Sequence, residues 1–155
     1  LEGKGVIAVV DAEKDLLLNV LKYHPFLIKP NNHELGAMFG VALENGADAA
    51  EYAKRLQDMG ARNVLVSMAG DGSVLVREDG AVYYMEAARG AVINSVGAGD
   101  SMVAGFLAGY LERKDYVHAL RMGTAAGGAT AFSYGLGTRD EIMRLYGQLR
   151  ERDGK

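Results

Sequence analysis

The stretch Asn94-Ser95-Val96-Gly97-Ala98-Gly99-Asp100-Ser101-Met102-Val103-Ala104-Gly105-Phe106 is a turn of small residues that passes without a break into helical sequence. A turn that opens a helix leaves backbone N–H groups without an intrahelical acceptor, and the helix dipole puts partial positive charge at the same end. Gly97, Ala98 and Gly99 therefore read as an anion hole suited to a phosphate. An acidic residue is an odd choice for a site whose only task is to hold an anion. Asp100 makes more sense as a base, taking the proton of a hydroxyl while the amides hold the phosphoryl group which that hydroxyl attacks. Taken alone, the same letters also describe an ordinary helix start with an aspartate in its first turn.

On the C-terminal side of this turn, Ser101 to about Arg113 carries Val103, Phe106, Leu107, Tyr110 and Leu111 as the apolar residues of a long helix. Ala104, Gly105, Ala108 and Gly109 make it slim, which lets another backbone pack close. Tyr116 to about Phe132 is a second helix with a small-residue surface (Gly123, Ala126, Gly127), and Asp140 to Arg150 is the last, striped by Ile142, Leu145, Tyr146 and Leu149. On the N-terminal side, Gly5 to Asp11 reads as a buried parallel strand, Ala12 to Tyr23 as a helix and Phe26 to Lys29 as a second strand. Asn32 to Phe39 is a short helix behind an Asn cap, and Gly46 to Met59 an amphipathic helix closed by Gly60. Val64 to Met68 is a third strand. Gly70-Asp71-Gly72 then turns the chain into an antiparallel pair, Ser73 to Arg77 and Ala81 to Met85, around Asp79-Gly80. The alternation predicts an α/β fold with a mainly parallel sheet, and such sheets bind ligands at the carboxyl ends of their strands, where the glycine clusters fall.

Composition narrows the classes. The 155 residues carry a net charge of −3, with 49% hydrophobic and 24% charged residues, which suits one globular domain and excludes intrinsic disorder. The mild acidity gives no electrostatic footprint for nucleic acid or an anionic membrane. Met122 to Thr138 is the longest uncharged stretch, mostly Gly, Ala, Thr and Ser, and it falls short of a membrane span. No cysteine is present, so there is no disulfide, thiolate metal site or cysteine nucleophile, a usage that fits a reducing compartment. Glycine is the unusual component, at 21 residues about twice the average share of ~7%.

Known phosphate loops are absent. No G-x-x-x-x-G-K-[ST] occurs. Four G-x-G pairs start at Gly3, Gly70, Gly97 and Gly135, but Ala8, Leu75, Met102 and Asp140 stand where a dinucleotide fingerprint needs its third glycine. Lys29-Pro30-Asn31-Asn32-His33-Glu34 forms a second candidate at a strand end. Asn31 and Glu34, three apart, can share one side of a helical turn and hold the hydration shell of Mg²⁺, while Lys29 can reach a phosphate as a point charge. The same residues also fit a capped helix start with Glu34 as the partner of the Asn cap. Ser67 to Gly72 alone is a turn, and Gly135-Leu136-Gly137 is a helix end or a carbonyl-lined rim. His24, His33 and His118 lack metal-ligand spacing.

Together, and in this order, KPNNHEL, VLVSMAGDG and NSVGAGDSMVAGF resemble the carbohydrate kinases of the ribokinase/PfkB family, the third segment resembling that family's C-terminal signature. Within the family the wording is most similar to the bacterial 1-phosphofructokinase branch, followed by tagatose-6-phosphate and minor 6-phosphofructokinase branches. The resemblance implies a ribokinase-like three-layer α/β/α fold in which residues 1–155 are the C-terminal, nucleotide-binding part. It implies Asp100 as catalytic base, Gly97, Ala98 and Gly99 as the anion hole, and Lys29, Asn31, Ser67, Gly70, Asp71, Gly72, Thr124 and Gly128 around ATP. It implies Asn31 and Glu34 near Mg²⁺ through water, and Ser133 and Gly135 near a monovalent cation, K⁺, found in some members. The implied reaction moves the γ-phosphoryl of Mg·ATP to fructose 1-phosphate in a cytoplasmic enzyme that forms homodimers. The family's sugar-binding half, with its β-lid, lies outside the resemblance. The expectation is therefore a truncated form, a proteolytic piece or a broken gene product, and a nucleotide-binding module without catalysis is its alternative.

Overall fold

Short aliphatic runs pair into a five-stranded sheet in the order β1-β2-β3-β4-β5. β1 (Val9–Val10), β2 (Leu27–Ile28) and β3 (Asn63–Ser67) are parallel, with Val10 beside Ile28 and Ile28 beside Val64. β3 pairs antiparallel with β4 (Ser73–Val76), and β5 (Val82–Met85) follows at the edge. The computed structural model describes residues 6–11 and 14–153, so the expected starts of the first strand at Gly5 and the first helix at Ala12 lie outside the described residues. β2, β3 and β4 are buried almost throughout, which is why their sequences are continuous apolar runs rather than alternating ones. The first two strands are shorter than those runs. The chain's two prolines, Pro25 and Pro30, bracket β2, and neither has an N–H to extend a ladder.

The chain folds as two compact units, Leu1–Tyr84 and Met85–Lys155. In the first, α1 (Lys14–Leu21), α2 (Asn32–Phe39) and α3 (Gly46–Asp58) contribute Leu17, Leu21, Leu35, Ala49, Ala53 and Leu56 to one core with Ile28, Val64, Val66, Val74 and Val76. Asn45 caps α3, accepting from the N–H groups of Ala47 (2.9 Å) and Asp48 (3.0 Å). Gly60 follows the end of α3 at φ +129°, where a Cβ would run into the carbonyl oxygen of Leu21, so glycine there serves close approach as well as helix termination. Asn63 is fully buried and paired at both ends: its Nδ2 donates to the Phe26 carbonyl (2.8 Å) and its Oδ1 accepts from the Glu78 N–H (3.0 Å).

The second unit is built on α4 (Ala98–Arg113), α5 (Tyr116–Ala131) and α6 (Arg139–Asp153). α4 and α5 run antiparallel, joined through Lys114 in the left-handed region (φ 54°) and Asp115, whose carboxylate caps α5. Their contact is a seam of small residues. A Cβ on Gly105 would lie 2.7 Å from the Met122 carbonyl oxygen and 2.7 Å from the Ala126 Cβ. One on Gly123 would lie 2.8 Å from the Met102 carbonyl oxygen, and one on Gly127 3.1 Å from that of Ala98. His118 is buried with its Nδ1 2.8 Å from the Tyr146 hydroxyl and its Nε2 3.2 Å from Glu112, as a satisfied core histidine should be. That bond, with a second from Arg113, holds the Glu112 carboxyl below its ordinary value.

The seam generates a direct test. Gly105→Val places a branched side chain against backbone that cannot retreat and costs about 3 kcal/mol or more of unfolding free energy. A urea midpoint unchanged from wild type would contradict this account of the helix contact.

Candidate active site

α4 begins at Ala98, three residues ahead of the expected Ser101, because the glycine turn itself takes helical form. Gly97 is its N-cap at φ 79°, a left-handed conformation that side chains resist. No side chain caps this end. The Ser101 N–H closes the first helical bond to the Gly97 carbonyl (2.9 Å), and the Ala98 N–H is spent on the Ser95 carbonyl (3.1 Å). Among the described residues, the N–H groups of Gly97, Gly99 and Asp100 make no hydrogen bond. Of the expected hole, Gly97 and Gly99 thus keep open donors, Ala98 does not, and Asp100 adds its own. Asp100 is exposed in the first turn, beside the positive end of the dipole.

Around that turn the second unit gathers Ser101, Thr130, Leu136 and Gly137. The Ser101 and Thr130 hydroxyls are 2.8 Å apart, and the Gly137 N–H donates to Thr130 Oγ1 (3.0 Å). A Cβ on Gly97 would lie 3.6 Å from Leu136 Cδ2. Thr124 is buried on α5, and Gly128 is needed for packing, since a Cβ there would sit 2.8 Å from that of Ala88. Ser133 donates to Glu141 Oε1 (3.4 Å), so its hydroxyl is already engaged, whereas Gly135 has open space around it. Glu141 closes a capping box with Thr138, a T-x-x-E pattern visible in the sequence ahead of α6.

The first unit holds the other candidates together at the carboxyl ends of β2 and β3. The parallel register continues past both strands, placing Asn31 beside Ser67, with the Ser67 N–H donating to the Pro30 carbonyl (3.2 Å). Asn31 caps α2 and closes a capping box: Glu34 N–H donates to Asn31 Oδ1 and Asn31 N–H to Glu34 Oε2, both at 2.8 Å. The capped-start reading of this pair is therefore realised. The box uses neither Glu34 Oε1 nor the Asn31 side-chain amide nitrogen. Among the described residues there is no group of three or more His, Asp or Glu that could hold a metal ion. Gly70 and Asp71 are exposed in a turn over Ala69–Asp71, and Gly72 at φ 94°, ψ −132° occupies backbone space reserved for glycine.

Lys29, expected near a phosphate, already has an acidic partner. It is buried, and its ammonium lies 3.5 Å from Asp11. The register explains the pair: Val10 stands beside Ile28, so the next residues of two parallel strands face each other. Asp11 escaped the sequence reading as the last letter of an apolar run; an acid at a strand end opposite a KPN lysine was the available signal.

The fold and these loops are those of a family of sugar kinases. The chain belongs to the pfkB family carbohydrate kinases, whose pattern matches residues 4–142. It is 46% identical to the 1-phosphofructokinase of Bacillus subtilis (strain 168) over 92% of this chain and 46% of that protein. It is 32% identical to the D-tagatose-1-phosphate kinase of Klebsiella oxytoca over 96% of this chain and 49% of that one. The expected tagatose branch is thus represented by a relative named for the 1-phosphate. Phosphofructokinase-2 of Escherichia coli, solved in complex with substrates and products, superposes with a TM-score of 0.86 at 27% identity, over 95% of this chain and 48% of that chain. The same enzyme has been solved in complex with potassium and in a tetrameric inhibited form. These matches bear out the expected family and ribokinase-like fold class. The chain spans about half the length of the curated relatives it matches. Among the described residues no helix is long and apolar enough to cross a membrane.

The loop between α5 and α6 carries a pH signature. Hydrogen bonds from the Thr138 N–H, then from its hydroxyl, then from Ser133 hold the Glu141 carboxyl below its ordinary value of 4.5. A depressed folded value contributes stability that is present above the unfolded value and lost as pH falls through the folded one. The difference in denaturation midpoint between wild type and Glu141→Gln is therefore largest near neutrality and shrinks in acid. A difference that persists undiminished at ~pH 3 contradicts the assignment.

Proposed function

We propose that this chain is the C-terminal, nucleotide-binding half of an ATP-dependent sugar-phosphate kinase that converts fructose 1-phosphate to fructose 1,6-bisphosphate. The observation that carries the reading is the start of α4: open N–H groups at Gly97, Gly99 and Asp100, with an exposed carboxylate in the same turn. The 46% identity to the Bacillus subtilis 1-phosphofructokinase, against 32% and 37% to two D-tagatose-1-phosphate kinases, supports fructose 1-phosphate. Both relatives are named for a ketohexose 1-phosphate, which favours that class over the tagatose 6-phosphate and fructose 6-phosphate alternatives.

Asp100 would accept the proton of the acceptor hydroxyl as that oxygen attacks the γ-phosphorus of ATP and the bond to the β–γ bridging oxygen breaks, with ADP as leaving group. The amides of Gly97, Gly99 and Asp100 hold the anionic oxygens of the transferring group, and their donors are fixed by folding rather than recruited during reaction. Asn31 and Glu34 would hold the waters of Mg²⁺. Ser67, Gly70, Asp71 and Gly72 would line the nucleotide, and Lys29, tied to Asp11, would set the charge at the end of β2. Mg·ATP, when bound, supplies the γ-phosphoryl group and the divalent charge that shields it. Ser133 and Gly135 would flank the monovalent cation. The whole enzyme is proposed to be cytoplasmic and homodimeric.

The half-length match supports a second reading, a nucleotide-binding module that does not turn over by itself. Calorimetric titration of the chain with Mg·ATP, then with fructose 1-phosphate, separates the cases. Saturable nucleotide binding with product formation supports the kinase; binding without product supports the module; absence of binding by folded protein removes both for this chain. In the full-length kinase, Asp100→Asn lowers turnover about 10²–10⁴-fold with nucleotide affinity nearly kept. Near-normal turnover would sink the base assignment.

A further inference from the structure

Three segments converge on the last turn of α5. The Ala131 carbonyl accepts from the N–H groups of Ile93 (2.8 Å) and Asn94 (3.2 Å), in the segment that leads into the glycine turn. Gly137 comes so near that a Cβ on it would lie 2.5 Å from the Cβ of Ala129. Between these two residues, Thr130 is 2% exposed, and its hydroxyl meets both the Gly137 N–H (3.0 Å) and the Ser101 hydroxyl (2.8 Å).

We infer that Thr130 is a positioning residue for the phosphate-binding turn, acting through Ser101. Gly99, which disfavours helix, and the Gly97 N-cap, which brings no capping side chain, make the first turn of α4 intrinsically weak, and helix ends fray. Ser101 is the first residue beyond that turn with an internal helical bond, its N–H to the Gly97 carbonyl (2.9 Å). Its side chain is anchored to Thr130, so the turn is held at its backbone and at its side chain by one residue. The open amides of Gly99 and Asp100 lie within the turn that the backbone bond closes, between Gly97 and Ser101. Thr130 Oγ1 has one hydrogen and two lone pairs: Gly137 takes one lone pair, and either hydroxyl can donate across the contact with Ser101. Valine at this position keeps the shape and removes the whole link. The signal was present in the sequence only as one threonine in a small-residue helix.

This role rests on the reading of the α4 turn as a phosphate site, and the test separates the two. The full 155-residue chain, labelled with nitrogen-15, is titrated with Mg·ATP while the amide signals of Gly99 and Asp100 are followed. In wild type both signals shift. Thr130→Val weakens binding about tenfold and diminishes those shifts, Thr130→Ser stays within about twofold of wild type, and Ser101→Ala behaves like Thr130→Val. A Thr130→Val chain that binds and shifts like wild type overturns the role of Thr130 and leaves the phosphate reading standing. A Thr130→Ser chain as weak as the valine variant also overturns it, because volume rather than the hydroxyl then matters. Wild type without shifts at Gly99 and Asp100 overturns the phosphate reading and the role built on it. If Thr130→Val fails to fold, Ser101→Ala removes the same bond from the half-buried side and decides the matter.

Discussion

The close contact of α4 with α5 is the constraint on which the second unit depends. Residues without side chains, or with a single methyl, line both helices from Ala98 and Gly127 at one end to Gly109 and Ala119 at the other. Each glycine forfeits helix propensity, roughly 1 kcal/mol against alanine, and the close approach of two backbones offsets that loss through dense packing. The arrangement leaves the start of α4 no freedom to slide along α5. A turn with only glycine as its cap and no capping side chain therefore stands in a defined place, with its donors open.

In the first unit the corresponding constraint is register. The pairing that sets Leu27 beside Asn63 and Ile28 beside Val64 continues beyond the strands to Asn31 and Ser67. The buried Asn63, bonded to the Phe26 carbonyl and the Glu78 N–H, locks the pairing, because a slip would leave its amide buried without these partners. The loops at the carboxyl ends of these strands inherit that lock. So does the contact between Lys29 and Asp11, whose strands are fixed by the neighbouring pairing of β1 with β2.

Much of this was legible in the sequence, for identifiable reasons. Periodicity located α3 and α6, turn chemistry located the bend from β3 to β4, and the Asn cap located α2 to the residue. The early start of α4 was missed because glycine reads as a loop, while its helical form here comes from packing against Gly127. Strand lengths were overestimated at β1 and β2, since apolar character extends beyond the residues that find ladder partners between two prolines. The Asn31 and Glu34 pair admitted two interpretations, and geometry realised the cap while leaving one carboxylate oxygen toward solvent or ligand. Thr130 and Asp11 were missed because their significance lies in partners distant along the chain, Ser101 and Lys29; no local pattern announces Thr130, and Asp11 is signalled only by the pairing of two strand ends.

The capping box at the head of α2 has a consequence for the thermodynamics of association. Asn31 and Glu34 immobilise each other through two reciprocal bonds, and Asn31 is further set in line with Ser67. The conformational entropy of these loops is surrendered when the chain folds. A molecule that docks at the ends of β2 and β3 then meets backbone already ordered, and its affinity is not diminished by the need to freeze a mobile segment. Heat released on docking there would reflect desolvation and new polar contacts, with little contribution from loop ordering.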